Sequence, residues 1–172
     1  MAFSPRARKA ALLVHVTTSV GWLGTVAVFF ALAVSGATSA DPELSRACYA
    51  VMGLVGWAVI VPASVASFAS GVVSSLGTPW GLFRYYWVTI KLAVTVVATA
   101  VLLVHMQPIS HVAVLAANPA WDASTAGGLR SLLILQSVLA VLALGAVTAL
   151  SVYKPPGRTQ YGLRRLAQHR TD

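Results

Sequence analysis

Lys91 is the only Asp, Glu, Lys or Arg between Tyr85 and Met106. It sits six residues into that apolar run, which at 1.5 Å per residue places it about 9 Å along a helix. A charge at the centre of a membrane helix costs about 2.5 kcal/mol or more. Two arrangements meet that cost. The long stem can snorkel to the interface, or the ammonium can face inward and pair with an anionic ligand. His15 poses the same question about 7.5 Å into the run that starts at Ala10. Ser19 and Trp22 follow it at i+4 and i+7, so all three share one helix face. Such a polar stripe on an apolar helix is expected to face the bundle. A neutral imidazole there can bind a metal or haem iron, or hydrogen-bond a neighbouring helix.

A second group is looser. His105, Met106 and His111 lie late in the third apolar run, and Gln136 of the fourth is expected at a similar depth. His and Met are ligands for copper, although Pro108 separates the two histidines. Gln136 also suits an interhelical hydrogen bond. Several chemistries lack their residues altogether. The chain holds no phosphate-binding Gly-Lys-Ser/Thr loop, no H-E-x-x-H and no G-x-S-x-G. None of its four acidic residues falls within an apolar run, which argues against a carboxylate proton relay. Cys48 is the only cysteine, so no intrachain disulfide forms.

The elements that must position these side chains are hydrophobic. Of 172 residues, 58% are hydrophobic and only 9% charged, against about 25% charged in soluble domains. Mean hydropathy is +0.79. That composition excludes an ordinary soluble enzyme, a disordered chain and a disulfide scaffold. Four apolar runs stand out, at about 10–34, 47–70, 85–106 and 129–153, each long enough to cross a hydrocarbon core of about 30 Å. The first run is too long for the roughly 7–15 residues of a signal-peptide core. Continuous runs also exclude a β-barrel, which needs short alternating segments. The expected architecture is all-α: an integral membrane four-helix bundle forming a single transmembrane domain over 1–172. The segment from Ser35 to Glu43 reads as a loop, with Asp41 or Ser45 as cap for the second helix. Gly71, Gly77, Pro79 and Gly81 mark the next connection, and Pro108, Pro119 and Gly127-Gly128 the third. Pro62 is expected to kink the second helix near mid-membrane. Two sets of small residues predict close helix packing. One is Thr17, Thr18, Ser19, Gly21 and Gly24; the other is Gly53, Gly56, Ser64, Ser67 and Gly71.

Twelve basic against four acidic residues give a net charge of +8. In a soluble protein that would suggest nucleic acid; beside hydrophobic runs it suggests anionic lipid headgroups and control of orientation instead. Arg6, Arg8, Lys9, Arg84, Lys154, Arg158, Arg164, Arg165 and Arg170 fall on one side of a four-span chain, Arg46 and Arg130 on the other. The positive-inside rule then predicts both termini in the cytoplasm, with basic tails 1–9 and 154–172. Trp80, Tyr85, Tyr86, Trp87, Trp121 and Tyr153 are expected near the membrane interfaces.

The stretch Leu13-Val14-His15-Val16-Thr17-Thr18-Ser19-Val20-Gly21-Trp22-Leu23-Gly24 resembles the first-span motif of a superfamily of small bacterial membrane proteins. That group includes CopD-like copper-resistance proteins and HemJ-type protoporphyrinogen oxidases. Trp87-Val88-Thr89-Ile90-Lys91-Leu92 resembles its second signature, an aromatic residue followed by Lys-Leu. The segment Tyr153 to Gly162 is similar to uncharacterised actinobacterial integral membrane members. The resemblance implies a bacterial plasma-membrane protein that binds haem b or copper in a redox or metal-handling role. It implies His15 as the iron ligand and Lys91 as a functional lysine, with His105 similar to a further histidine. Trp22 is expected to shape the pocket, with Lys91 pairing a propionate or other anion. Its partners are the bilayer and anionic headgroups, with a second copy or another membrane protein as a further candidate. The alternative is a non-catalytic membrane interaction or assembly subunit, or a small transporter component.

Overall fold

The computed structural model describes residues 3–78, 81–118 and 127–168, of which 165–168 are described by backbone alone. Trp80, Trp121, Asp122 and Arg170 lie outside the described residues, as does the side chain of Arg165.

Helix α1 spans Pro5–Thr38. Ser4 caps it by accepting from the Ala7 N–H, and Pro5 needs no amide partner in the first turn. At 1.5 Å per residue it is about 51 Å long, so Arg6, Arg8 and Lys9 extend past a hydrocarbon core of about 30 Å. Helix α2, Pro42–Val55, begins at Asp41, whose carboxylate accepts from Glu43 N–H at 2.9 Å. Ser45, the other candidate cap, is buried and donates to Gly36 O at 2.6 Å, tying α2 to the end of α1.

The second span then passes through one π-helical turn, Gly56–Ile60, before α3, Val61–Leu76. Its cause is Pro62, which has no N–H to give the ladder. The amide before it, Val61 N–H, reaches back to Gly56 O. The chain thus widens by one residue, and the break expected at Pro62 takes the form of a π turn ahead of it. Helix α4, Tyr86–Ala116, continues through Pro108, past the end at Met106 that the apolar run suggests. In a bilayer, continuing the helix keeps the backbone groups beyond the proline satisfied. Ile109, Val112 and Ala116 are buried beyond it and hold the last turns on the core. Helix α5 spans Gly127–Tyr153. It stops at Lys154, whose φ is 43°, followed by Pro155-Pro156. The basic tail then forms a further short helix, α6, Gln160–Gln168.

The four long apolar helical segments, Pro5–Thr38, Pro42–Leu76, Tyr86–Ala116 and Gly127–Tyr153, can each cross a membrane, and the chain is an all-α membrane protein. Around the bundle, α1 packs on the α2–α3 span and on α5, and α4 closes the ring between them. The first and third spans therefore stand diagonally. Trp22, Val26, Phe29 and Ala33 form one buried stripe of α1, at the i, i+4, i+7 spacing of a single face. They meet Met52, Ile60, Met106 and Leu133 in the core. Large apolar side chains such as Leu13, Val104, Val114 and Leu142 lie on the outside, which in a bilayer is the lipid face.

Both chain ends gather at one end of the bundle. Phe3 N–H donates to Gly77 O at 3.3 Å, Tyr86 N–H to Gly157 O at 3.4 Å and Thr159 N–H to Arg84 O at 3.1 Å. At the opposite end the Arg130 guanidinium donates to Ala37 O.

Candidate functional site

The small residues of the second span decide how closely α1 and α4 approach it. A Cβ on Gly53 would stand 2.6 Å from Ala113 Cβ, and one on Gly56 would stand 2.7 Å from Met106 Cε. Gly71 serves α1 in the same way, since a Cβ there would come within 2.9 Å of His15 Cε1. The imidazole of His15 therefore lies against the α3 backbone. Its Nδ1 is 3.2 Å from Ser70 Oγ and 3.5 Å from Ser19 Oγ. Ser19 is also 2.8 Å from Ser67 Oγ, and Thr18 is 3.2 Å from Ser70 Oγ. These side chains form one hydroxyl–imidazole seam between α1 and α3. Gly21 and Gly24, by contrast, would have nothing within 4 Å of an added Cβ and face outward.

Lys91 lies within electrostatic range of His15 and of Lys154. Its ammonium stands 5.5 Å from the centroid of the Trp87 ring, one helical turn toward the basic end. That is a cation–π contact. It directs the charge toward the end of the span, as snorkelling requires.

Between the diagonal helices α1 and α4, space does remain. A cavity of about 480 Å³ opens there, within the range of about 300–1,000 Å³ usual for small-molecule sites. Trp22, Val26 and Phe29 of α1 form one wall, and Gly56 and Ile60 of the π turn another. The widened turn thus sits directly on the cavity. His105 and Met106 come from α4, and Gln136, Ser137 and Ala140 from α5. Val97, Val101 and Leu139 also line it while being 60%, 47% and 56% exposed. The cavity therefore opens sideways between α4 and α5, toward lipid.

The structure brings Trp22 and His105 together in this cavity. His15 and Lys91 do not line it, and His111 is exposed elsewhere on α4. His105 Nδ1 donates to Val101 O at 2.7 Å. In the neutral ring this fixes the tautomer and leaves Nε2 with its lone pair. Gln136 Nε2 is buried with no hydrogen-bond acceptor among the described residues. Ser137 Oγ donates to Leu133 O of its own helix. No Lys, Arg, Asp or Glu among the described residues lines the cavity. Among the described residues, no three His, Cys, Asp or Glu side chains gather as a metal-binding group. The sequence presents Gln136 at the depth of His105 and as an interhelical hydrogen bond, and Gly56 only as packing, while Ile60 carries no signal of its own. The place of Gly56 and Ile60 on the cavity follows from the π turn, which has no period of its own in the sequence.

Comparison with family models, curated proteins and solved structures finds no match for this chain.

Proposed function

We propose that this membrane protein binds a lipid-soluble, largely hydrocarbon molecule inside its bundle, admitted from the bilayer between α4 and α5. The observation that supports this reading is the cavity itself: apolar walls, a lateral opening on the lipid face and, among the described residues, no charged side chain on its lining. Transfer of such a molecule from lipid gains little hydrophobic energy. Affinity then rests on fit, on dispersion contacts and on the few polar groups present. The test is extraction and mass spectrometry of small molecules retained by protein purified from its own membrane. Ala140→Phe, which fills the cavity from α5, is expected to remove the retained molecule while the protein still purifies as a folded species. Equal retention by Ala140→Phe would sink the reading.

A haem or copper role is the second reading, favoured by His105, whose free Nε2 is suited to ligate a metal. Apolar walls suit a porphyrin ring, but among the described residues no cationic side chain on the lining is available for its carboxylates. An unpaired buried carboxylate costs several kcal/mol, about as much as a buried ion in general. An absorption spectrum with metal analysis decides. A haem or copper signal lost in His105→Ala and kept in His15→Ala places the metal in the cavity, whereas the reverse places it at the α1–α3 seam.

The basic end, with Arg6, Arg8, Lys9, Arg84, Lys154 and Arg158, is proposed to face the cytoplasm by the positive-inside rule. Reporter fusions at Asp172 and at Asp122 are expected on opposite sides of the membrane.

A further inference from the structure

The end of the bundle where both chain termini gather carries charge of one sign among the described residues. Arg84 precedes α4 and Lys91 lies in its second turn, while Lys154 and Arg158 follow α5. The first turns of α1 add further cations. Asp41 and Glu43 stand at the start of α2, at the opposite end. Among the described residues, no acidic side chain shares the basic end. The fold nevertheless draws these cations together. Lys91 and Lys154 lie within electrostatic range of each other. The tail after α5 folds back on the connection before α4. Tyr86 N–H donates to Gly157 O, Thr159 N–H to Arg84 O at 3.1 Å, and the Thr159 hydroxyl to Phe83 O. Gly162 then passes so close to Arg84 O that a side chain there would strike it. This docking holds Arg158 beside Tyr85, its guanidinium 5.5 Å from the ring centroid. Arg84, Lys154 and Arg158 remain exposed.

We infer that the C-terminal tail, docked on the connection before α4, builds a surface for the headgroup of an anionic membrane lipid, centred on Arg84 and Arg158 with Lys154 beside them. The inference is independent of the cavity. Two observations point to this occupant. Charge complementarity calls for an anion, and guanidinium groups suit phosphate oxygens in particular. The level of the groups calls for a lipid. Arg84 and Lys154 flank the ends of two crossing helices, where the headgroup layer begins. Exposed Tyr86 and Tyr153 stand at the same helix ends, the usual place of interfacial aromatic rings. A zwitterionic headgroup carries its own cation and gains less from this surface, whereas each Lys or Arg near the membrane adds attraction for an anionic lipid.

The experiment titrates the full chain, in detergent, with phosphatidylglycerol and phosphatidylcholine of the same acyl chains and reads bound lipid by native mass spectrometry. Phosphatidylglycerol is expected to bind about tenfold more tightly, since each cation near the surface supplies about fivefold. Arg84→Gln with Arg158→Gln is expected to reduce that preference to about twofold or less. Arg6→Gln with Arg8→Gln removes as much charge from α1 and is expected to leave most of it. Gly162→Leu keeps every charge but drives the tail off Arg84, and is expected to cost about fivefold. Thr159→Pro, which removes the N–H donated to Arg84 O, is expected to do the same. Equal affinity for the two lipids in the unsubstituted protein overturns the inference. Equal losses from the two double variants mean diffuse attraction and overturn the assignment to Arg84 and Arg158. Full preference in both Gly162→Leu and Thr159→Pro overturns the role of the docked tail. Displacement of the lipid by millimolar inorganic phosphate, against chloride of equal ionic strength, makes the occupant a soluble phosphate and overturns the lipid assignment.

Discussion

His15 and His105 are the same side chain in two different trades. Each stands in a membrane helix, and each directs Nδ1 at an oxygen. His15 reaches across to Ser70 on another helix and lies on Gly71, so its ring is part of the joint between α1 and α3. His105 turns back to Val101 O of its own helix and meets a cavity instead of a neighbour. What separates them is the facing helix. Opposite His15 the second span supplies a glycine and two serines, which let the backbone approach and answer the imidazole. On the cavity that His105 lines, the same span passes through a π turn, whose Gly56 and Ile60 border the space without filling it. A histidine in a bundle is thus a fastener where small hydroxyl residues face it, and a site where the packing opens.

The comparison breaks most visibly at Gly71. A leucine there drives into the imidazole and pushes it off Ser70. Gly71→Leu is expected to lose stability by about 1–3 kcal/mol, the usual cost of overpacking, and more if α1 separates. Thermal unfolding in detergent measures this, and an unchanged Tm would show that α1 and α3 are not in close contact. A smaller effect comes from the ring alone. His15→Ala removes an interhelical hydrogen bond and leaves Ser70 to its bond with Ser67 O. The expected loss is about 0.6–1.7 kcal/mol, the measured span for polar contacts between membrane helices. Ligand binding at Trp22 is expected to persist in this variant. A cofactor lost with His15 while Tm holds would reverse the roles of the two histidines.

Much of the fold is written locally. Each apolar run forms a crossing helix because length and hydropathy decide that without reference to neighbours. The diagonal placement of the first and third spans also follows from short connections in an up-down bundle. Spacing from His15 and Ser19 puts Trp22 on an inward face, and it is inward. What the spacing does not carry is which part of that face meets a neighbour. His15 and Trp22 share a face about 10 Å long at 1.5 Å per residue. One end lies on α3 and the other on the cavity, and only the sequence of the second span, through Pro62 and its π turn, separates them. Pro108 misleads in the other direction. A proline reads as a stop, yet buried Ile109, Val112 and Ala116 carry α4 past it. The basic tail hides its helix because α6 begins where Thr159 meets Arg84 and caps Gly162 N–H at 3.1 Å, a contact distant in sequence.

The finest test separates fastening from recognition at His105 itself. Its Nδ1–H shares Val101 O with the helical ladder, so removing it leaves no carbonyl without a partner. Leucine replaces the ring with a side chain suited to the same apolar wall. His105→Leu is therefore expected to shift stability by no more than about 0.5 kcal/mol, like a substitution away from any packed joint. Its consequence lies in the ligand. A hydroxyl on the bound molecule needs somewhere to send its proton, and Nε2 of His105 is an acceptor on a lining residue. A brominated alcohol is expected to lose about fivefold to tenfold in affinity in His105→Leu, read as the bromine quenching that is lost in Trp22→Phe, while a brominated ketone of equal length is unchanged. A large drop in Tm would make His105 a second fastener. Equal losses for alcohol and ketone would mean that the ring shapes the cavity without reading the oxygen.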